Sequence, residues 1–138
     1  MNASEINQQK VMQLASGRDG QPWICTVYFV VYQGCFYWLS FPERRHSMEL
    51  AINPRAAIAI ALKSDRPVRG IQIEGDTRQT QDIGEIEAVL KRYVEKYGQG
   101  AQFVERFAAG KNKHALYCLV PRKSMLFDGD DQKEITIA

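Results

Sequence analysis

The stretch "WICTVYFVVYQGCFYWLS", Trp23 to Ser40, restricts the possible folds more than any other part of the chain. A run rich in β-branched and aromatic residues, Trp23 to Tyr32, faces a second, Cys35 to Leu39, across Gln33-Gly34, a residue pair suited to a tight turn. The pattern predicts a β-hairpin. Its first strand is apolar almost without alternation, as expected of a strand covered on both faces. The run is too short to cross a bilayer as a helix.

Upstream, Ser4 to Ala15 has a mildly helical pattern, with Ser4 as N-cap and Ile6, Val11, Leu14 and Ala15 on one face, and "SGRDGQP" then breaks it. Downstream, Ser40-Phe41-Pro42-Glu43 reads as a capping box that opens a short helix, with Met48, Ala51 and Ile52 at core spacing and Asn53-Pro54 as its end. "RAAIAIALK" and "RGIQIEGDTRQ" predict two strands parted by a turn at Asp65 to Pro67. Asp82 to Glu85 caps the clearest helix, whose Ile83, Ile86, Val89, Leu90, Tyr93, Val94 and Tyr97 keep helical period up to Gly98. "AQFVERFAAG" predicts a further helical piece, and "HALYCLVPR" and "SMLFDG" two closing strands parted by Pro121.

The order is about six strands, mostly antiparallel, with helices inserted between them, which predicts a mainly β protein with helices, an α+β chain built on a small β-barrel. With 138 residues, 45% of them hydrophobic and 25% charged, one core and one domain over residues 1–138 are expected. "MNASEINQQK" has no signal-peptide pattern, so a soluble, cytoplasmic protein with no membrane partner is expected. Cys25, Cys35 and Cys118 are widely spaced and read as reduced thiols, with no metal site. A formal charge of +2 does not imply nucleic acid.

One local charge cluster stands out. Arg44, Arg45 and His46 fall where the short helix begins, against the sign of its dipole. Three readings compete. The cluster can be a solvated face, with Arg45 paired to Glu49 one turn on. It can serve nucleic acid beside Trp23, Tyr28, Phe36, Tyr37 and Trp38, although Glu43, Glu49, Asp65, Glu74 and Asp76 dilute any basic stripe. Or it can hold a phosphate, which would satisfy the free helix N–H groups and both guanidinium forks, with Ser40 and Ser47 as hydroxyl donors. The last reading explains the unfavourable placement best. His114 reads as a strand-end histidine with no metal-ligand spacing.

The order "GRDGQPWICTVYFV", "FYWLSFPERRHSMELAINPRAAIAI", "RGIQIEGDT" resembles the pyridoxamine 5'-phosphate oxidase-like FMN-binding split barrels, from about Leu14 to Gly75, with the arginine-basic pair before Asn53-Pro54 as the more specific element. The resemblance implies a six-stranded antiparallel split barrel and a homodimer with FMN at the subunit interface. It implies that backbone groups of Cys25, Thr26 and Val27 lie along the flavin ring. Leu39 and Ser40 would approach the phosphate side, and Arg45 and His46 would bind the phosphate, with Arg44 compensating. Gln72 would face the ring or the ribityl chain. This chain departs from the oxidase proper in having Cys25 in place of an arginine and His46 in place of a lysine, and it stops soon after its last predicted strand. The resemblance therefore implies an FMN-dependent oxidoreductase acting on a small molecule or electron donor, rather than vitamin B6 oxidation. A non-catalytic flavin-binding or stress module, or a haem or deazaflavin binder on the same fold, is the alternative. Beside a phosphate, His46 would gain charge, so FMN affinity is expected to fall as pH rises through neutrality.

Overall fold

The computed structural model describes residues 1–98 and 113–138, so the predicted "AQFVERFAAG" helix lies outside the described residues. Among the described residues, eight strands and three helices follow in the order α1 (Ala3–Asn7), β1 (Val11–Arg18), β2 (Gln21–Tyr28), β3 (Val30–Tyr32), β4 (Cys35–Ser40), α2 (Arg45–Ile52), β5 (Arg55–Lys63), β6 (Arg69–Gln79), α3 (Ile83–Tyr97), β7 (Ala115–Asp128) and β8 (Asp131–Ile135). All pairings are antiparallel, and the sheet order is β2-β1-β5-β6-β7-β4-β3, with β8 beside the second half of β7. The sheet curls into the expected split barrel around Met12, Leu14, Phe36, Trp38, Ile58, Ile60, Ile71, Ile73, Leu119 and Leu126.

Gln33-Gly34 is the predicted turn, with φ of 50° and 75°. Asp19-Gly20 does the same between β1 and β2, with φ of 52° and 78°, the two-residue hairpin geometry that matches strand twist. "SGRDGQP" therefore joins two strands, and the last part of the predicted N-terminal helix, from Val11 to Ala15, is strand β1. Only residues 3–7 are helical, capped by Asn2, whose side chain accepts from the Ser4 N–H. Alternation of Met12, Leu14 and Ser16 inward decides for a strand once β2 and β5 are available to pair with it.

The run Trp23 to Tyr32 is two strands, not one. At Phe29 the backbone leaves the ladder because α3 takes its polar groups: the Phe29 N–H donates to the Tyr97 hydroxyl at 3.0 Å, and its carbonyl accepts from Lys96 Nζ at 2.8 Å. Strand β2 is exposed along most of its length, and double coverage is found instead at Phe36–Trp38 of β4 and Ala115–Leu119 of β7. There α3 packs Val89 and Tyr93 on Val30, Tyr37, Leu116 and Cys118 to form a second core. Ile83, placed on the core face by spacing, is 73% exposed.

Pro121 does not end a strand. It sits at a bulge between β6 and β7, where the register slips between Glu74 and Gly75. Proline supplies no ladder N–H, and a side chain at position 75 would come within 2.3 Å of the Val120 carbonyl oxygen, so the irregularity needs both residues. Among the described residues no helix is long and apolar enough to cross a membrane.

Candidate functional site

Strand β4 ends at Ser40, and the chain reaches α2 through a turn in which the Arg44 N–H donates to the Phe41 carbonyl at 3.1 Å. The helix starts at Arg45, four residues later than a capping box at Ser40 to Glu43 would place it. Its N-cap is Arg44, no side chain caps it, and its first turn holds no acid. Met48 and Ile52 are 52% and 61% exposed, whereas His46, Ser47, Glu49 and Leu50 are buried. The predicted apolar face thus points to solvent. The polar face packs on the barrel mouth because Ser16 and Trp23 of the β1–β2 hairpin offer it specific partners.

Those partners set the geometry. Glu49 accepts from Ser16 Oγ at 2.7 Å and from Arg45 Nε at 2.9 Å, and these contacts hold its carboxyl below the ordinary range, the serine bond foremost. The Arg45 guanidinium lies 3.9 Å from the centre of the Trp23 ring. Arg45 is therefore oriented by a carboxylate on one side and an aromatic face on the other. His46 is buried with its Nε2 2.8 Å from Ser40 Oγ. Burial, then the neighbouring Arg44, lower its pKa from 6.5, only partly opposed by Glu49, so the imidazole is neutral at pH 7. The Arg44 guanidinium lies 5.5 Å from the Phe41 ring, which stacks on His114 at 4.1 Å.

Ser47, in the same first turn, is 3% exposed, and its hydroxyl has no hydrogen-bond partner within the described residues. A buried hydroxyl without a partner costs about 1–3 kcal/mol, and such groups are rare enough to need an explanation. An anion at the helix start supplies one. Phosphate oxygens fit the donors present, namely the uncapped N–H groups, the Ser47 hydroxyl and the two guanidiniums.

The other predicted residues are placed differently. Thr26 and Gln72 share the outer face of the sheet, in one cross-strand row with Gln13, Ala59 and Met125, and Thr26 Oγ1 donates to Gln13 Oε1 at 2.8 Å. Gln72 lines a groove of about 440 Å³ there, floored by Ala57 and Ala59 and walled by Ile24. Cys25 and Val27 point the opposite way, against the core, and the Cys25 thiol donates to the Leu14 carbonyl at 3.7 Å. Leu39 packs towards α3. Of residues 25–27, the backbone and the Thr26 side chain serve the outer side, where β2 is an edge strand with one edge unpaired among the described residues. The structure thus brings Ser40, Arg44, Arg45, His46 and Ser47 together and leaves Cys25, Val27 and Leu39 side chains apart from them. Ser16, Glu49 and Trp23 join the cluster. The Arg45–Glu49 spacing was visible in the sequence, but Ser16 carried no signal, because its contact joins residues far apart in the chain. No group of three His, Cys, Asp or Glu side chains among the described residues is arranged to hold a metal ion.

This frame of curled antiparallel sheet, mouth helix and outer groove is that of a split barrel. Residues 2–124 match the sequence profile of the pyridoxamine 5'-phosphate oxidase family, and the chain belongs to that family. Its fold is similar to a conserved hypothetical protein from Mycobacterium tuberculosis, at 20% identity and a TM-score of 0.78 over 93% of this chain and 82% of the other. A FAD-binding protein from Mesorhizobium loti shares it at 16% identity and a TM-score of 0.63, over 86% of each chain. The heme storage protein of Vibrio cholerae shares it at 21% identity and a TM-score of 0.68, over 93% of this chain and 95% of that one. No curated protein matches the sequence.

Proposed function

We propose that the protein binds FMN, with the phosphate at the start of α2 and the ring along the outer side of β2, and acts as a flavin-dependent oxidoreductase. The observation that carries the reading is the buried, partnerless Ser47 hydroxyl in an uncapped, cationic first turn. Membership of the family and the similarity to a FAD-binding protein support it. Bound flavin supplies the hydride or electron transfer itself. The chain's part is to hold and orient it: Glu49 and Trp23 fix the Arg45 fork, Ser40 fixes the His46 ring, and Thr26 and Gln72 offer polar groups beside an apolar groove. Val11, Ile24 and Tyr28 are 41%, 61% and 63% exposed on the same outer face, Ile24 at the groove itself, and a second copy of the chain is the proposed cover.

The test is titration with FMN, followed by flavin fluorescence and by thermal shift, on the protein and on Ser47→Ala. Removing a partnerless hydroxyl leaves the apo protein as stable or slightly more so. The same change lowers FMN affinity by about 5- to 10-fold, the worth of one hydrogen bond. Affinity equal to that of the parent would remove the phosphate from this helix start. A protein that binds haem instead, seen as a Soret band, would overturn the flavin reading. Reduction of bound flavin by NADH or NADPH separates an oxidoreductase from a flavin-binding module.

A further inference from the structure

The end of β1 away from α2 carries a second group of cations. Val11 opens β1 and Ser16 lies five residues on, so about 17 Å of strand separates this end from the Ser16–Glu49–Arg45 contacts. Lys10, just before β1, meets Arg92, Glu95 and Lys96 of α3 around a groove of about 350 Å³, a volume in the range of small-molecule sites. Val30 and Val31 of β3 line its remaining side with Asn7. Strand β3 ends the sheet, but its outward backbone groups are already taken. The Val31 N–H donates to Asn7 Oδ1 at 3.0 Å, and the Phe29 N–H and carbonyl are bound by Tyr97 and Lys96. An added strand would therefore find little to pair with, and the groove suits a ligand held by side chains.

The charges around it do not balance. Lys96 is half-buried, with Nζ donating to the Phe29 carbonyl at 2.8 Å and lying 3.7 Å from the centre of the Phe29 ring. Lys10 Nζ donates to the Lys96 carbonyl at 3.4 Å. The two ammoniums lie 5.5 and 5.2 Å from the centre of one ring, that of Tyr97, which keeps two like charges close together. Arg92, one turn before Lys96, lies 5.5 Å from the Tyr32 ring centre. None of these three cations forms an ion pair with an acid among the described residues. The end of α3 carries about half a negative charge, which accounts for Lys10 beside the Lys96 carbonyl, and Glu95 adds one carboxylate. Three cations exceed both. Lysines are seldom withdrawn from water without an acid partner, and here burial, then Lys10, draws Lys96 down to about 8.

We infer that this groove binds a small anion with two or more linked phosphate groups, at a site separate from the start of α2. Such a ligand reaches the Arg92 fork with one phosphate and the Lys10 and Lys96 ammoniums with another, through charge-assisted hydrogen bonds. A single phosphate group would engage one end of the groove only. At the start of α2 the helix N–H groups assist, whereas the end of α3 presents carbonyls, so side chains supply the donors here.

The test uses tripolyphosphate as the probe on the full chain, by isothermal titration and amide chemical-shift mapping at a fixed ionic strength of about 0.15 M. Shifts gather on Asn7 to Lys10, Val30, Val31 and Arg92 to Tyr97. Arg92→Gln weakens binding about 10-fold and Lys10→Gln about 5-fold, the worth of one charge-assisted contact each. Glu95→Gln strengthens it about 2-fold by removing the one opposing carboxylate in the groove. Lys91→Gln, the same change of charge on α3 outside the groove, leaves affinity at the parent value. All four residues are exposed, so melting temperatures stay close to the parent and losses of affinity are not losses of fold. Inorganic monophosphate binds at least about 10-fold more weakly than tripolyphosphate. Shifts confined to Arg45–Ser47, equal losses in Lys91→Gln and Arg92→Gln, monophosphate bound as tightly as tripolyphosphate, or no binding at all would each overturn the inference. None of these readings involves flavin, so the outcome is independent of the FMN titration.

Discussion

Two helices in this chain begin in opposite ways. At α3 the Asp82 carboxylate accepts the Glu85 N–H at 2.9 Å, Glu85 adds an acid to the first turn, Lys96 places a cation in the last, and Gly98 closes the helix in the left-handed region. Every one of these choices follows the helix dipole and the unpaired terminal groups. At α2 the N-cap is an arginine without a capping bond, the next residue is a second arginine, and the buried serine two residues further on has no partner. The same polypeptide therefore stabilises one helix start from within and leaves the other unsatisfied. That contrast, more than the positive charge alone, is what an anion site predicts.

Arg44→Asp breaks the comparison most strongly, because it gives α2 the start that α3 has. FMN affinity falls about 100-fold, through loss of one charge-assisted contact and addition of a like charge. The apo protein instead gains about 1 kcal/mol from the new cap. Isothermal titration and thermal melting read the two effects separately, and a melting temperature that falls together with affinity would mean that Arg44 is structural.

Asp82→Ala is the reverse experiment. It removes the α3 cap and costs about 1 kcal/mol, a fall of about 3–5 °C in melting temperature. FMN affinity stays at the parent value. A matching loss of affinity would show that the two helix starts are not independent.

The smallest effect is that of pH on His46. Its folded pKa lies below 6.5, so as pH falls below 6.5 the unfolded chain takes up the proton first. The contribution to apo stability is therefore present above 6.5 and lost on acidification. A phosphate favours the charged ring, so FMN affinity rises as pH falls through the same window, lower than the neutral range expected from the sequence. Melting and titration at a series of pH values should show these opposite slopes, and His46→Gln should flatten both. Equal slopes in the variant would exclude His46 as their source.

Much of the framework was legible because it depends on neighbours in sequence. The Gln33-Gly34 turn, the alternation of "RAAIAIALK" and the period from Ile86 to Tyr97 are local patterns, and each produced the expected element. The cluster Arg44, Arg45, His46 and Ser47 was legible for the same reason: charge at a helix start is a statement about adjacent residues. Gln72 was offered for the ring or ribityl chain by the family resemblance, not by local pattern, and the structure sets its side chain on the outer groove, in one cross-strand row with Thr26.

What escaped local pattern was decided by partners distant in the chain. Spacing alone determined that residues 45–52 could form an amphipathic helix. Only the tertiary structure chose the side to bury, turning Met48 and Ile52 to solvent so that Glu49 could meet Ser16 and Arg45 could meet Trp23. The apolar run Trp23 to Tyr32 determined strand conformation. Its division at Phe29 was decided by Lys96 and Tyr97, which bind that residue's backbone from α3. The reason is the same in both places: a residue's intrinsic preference sets which conformations are available, but a buried polar group must find a partner, and the partner's position exists only once the chain has folded.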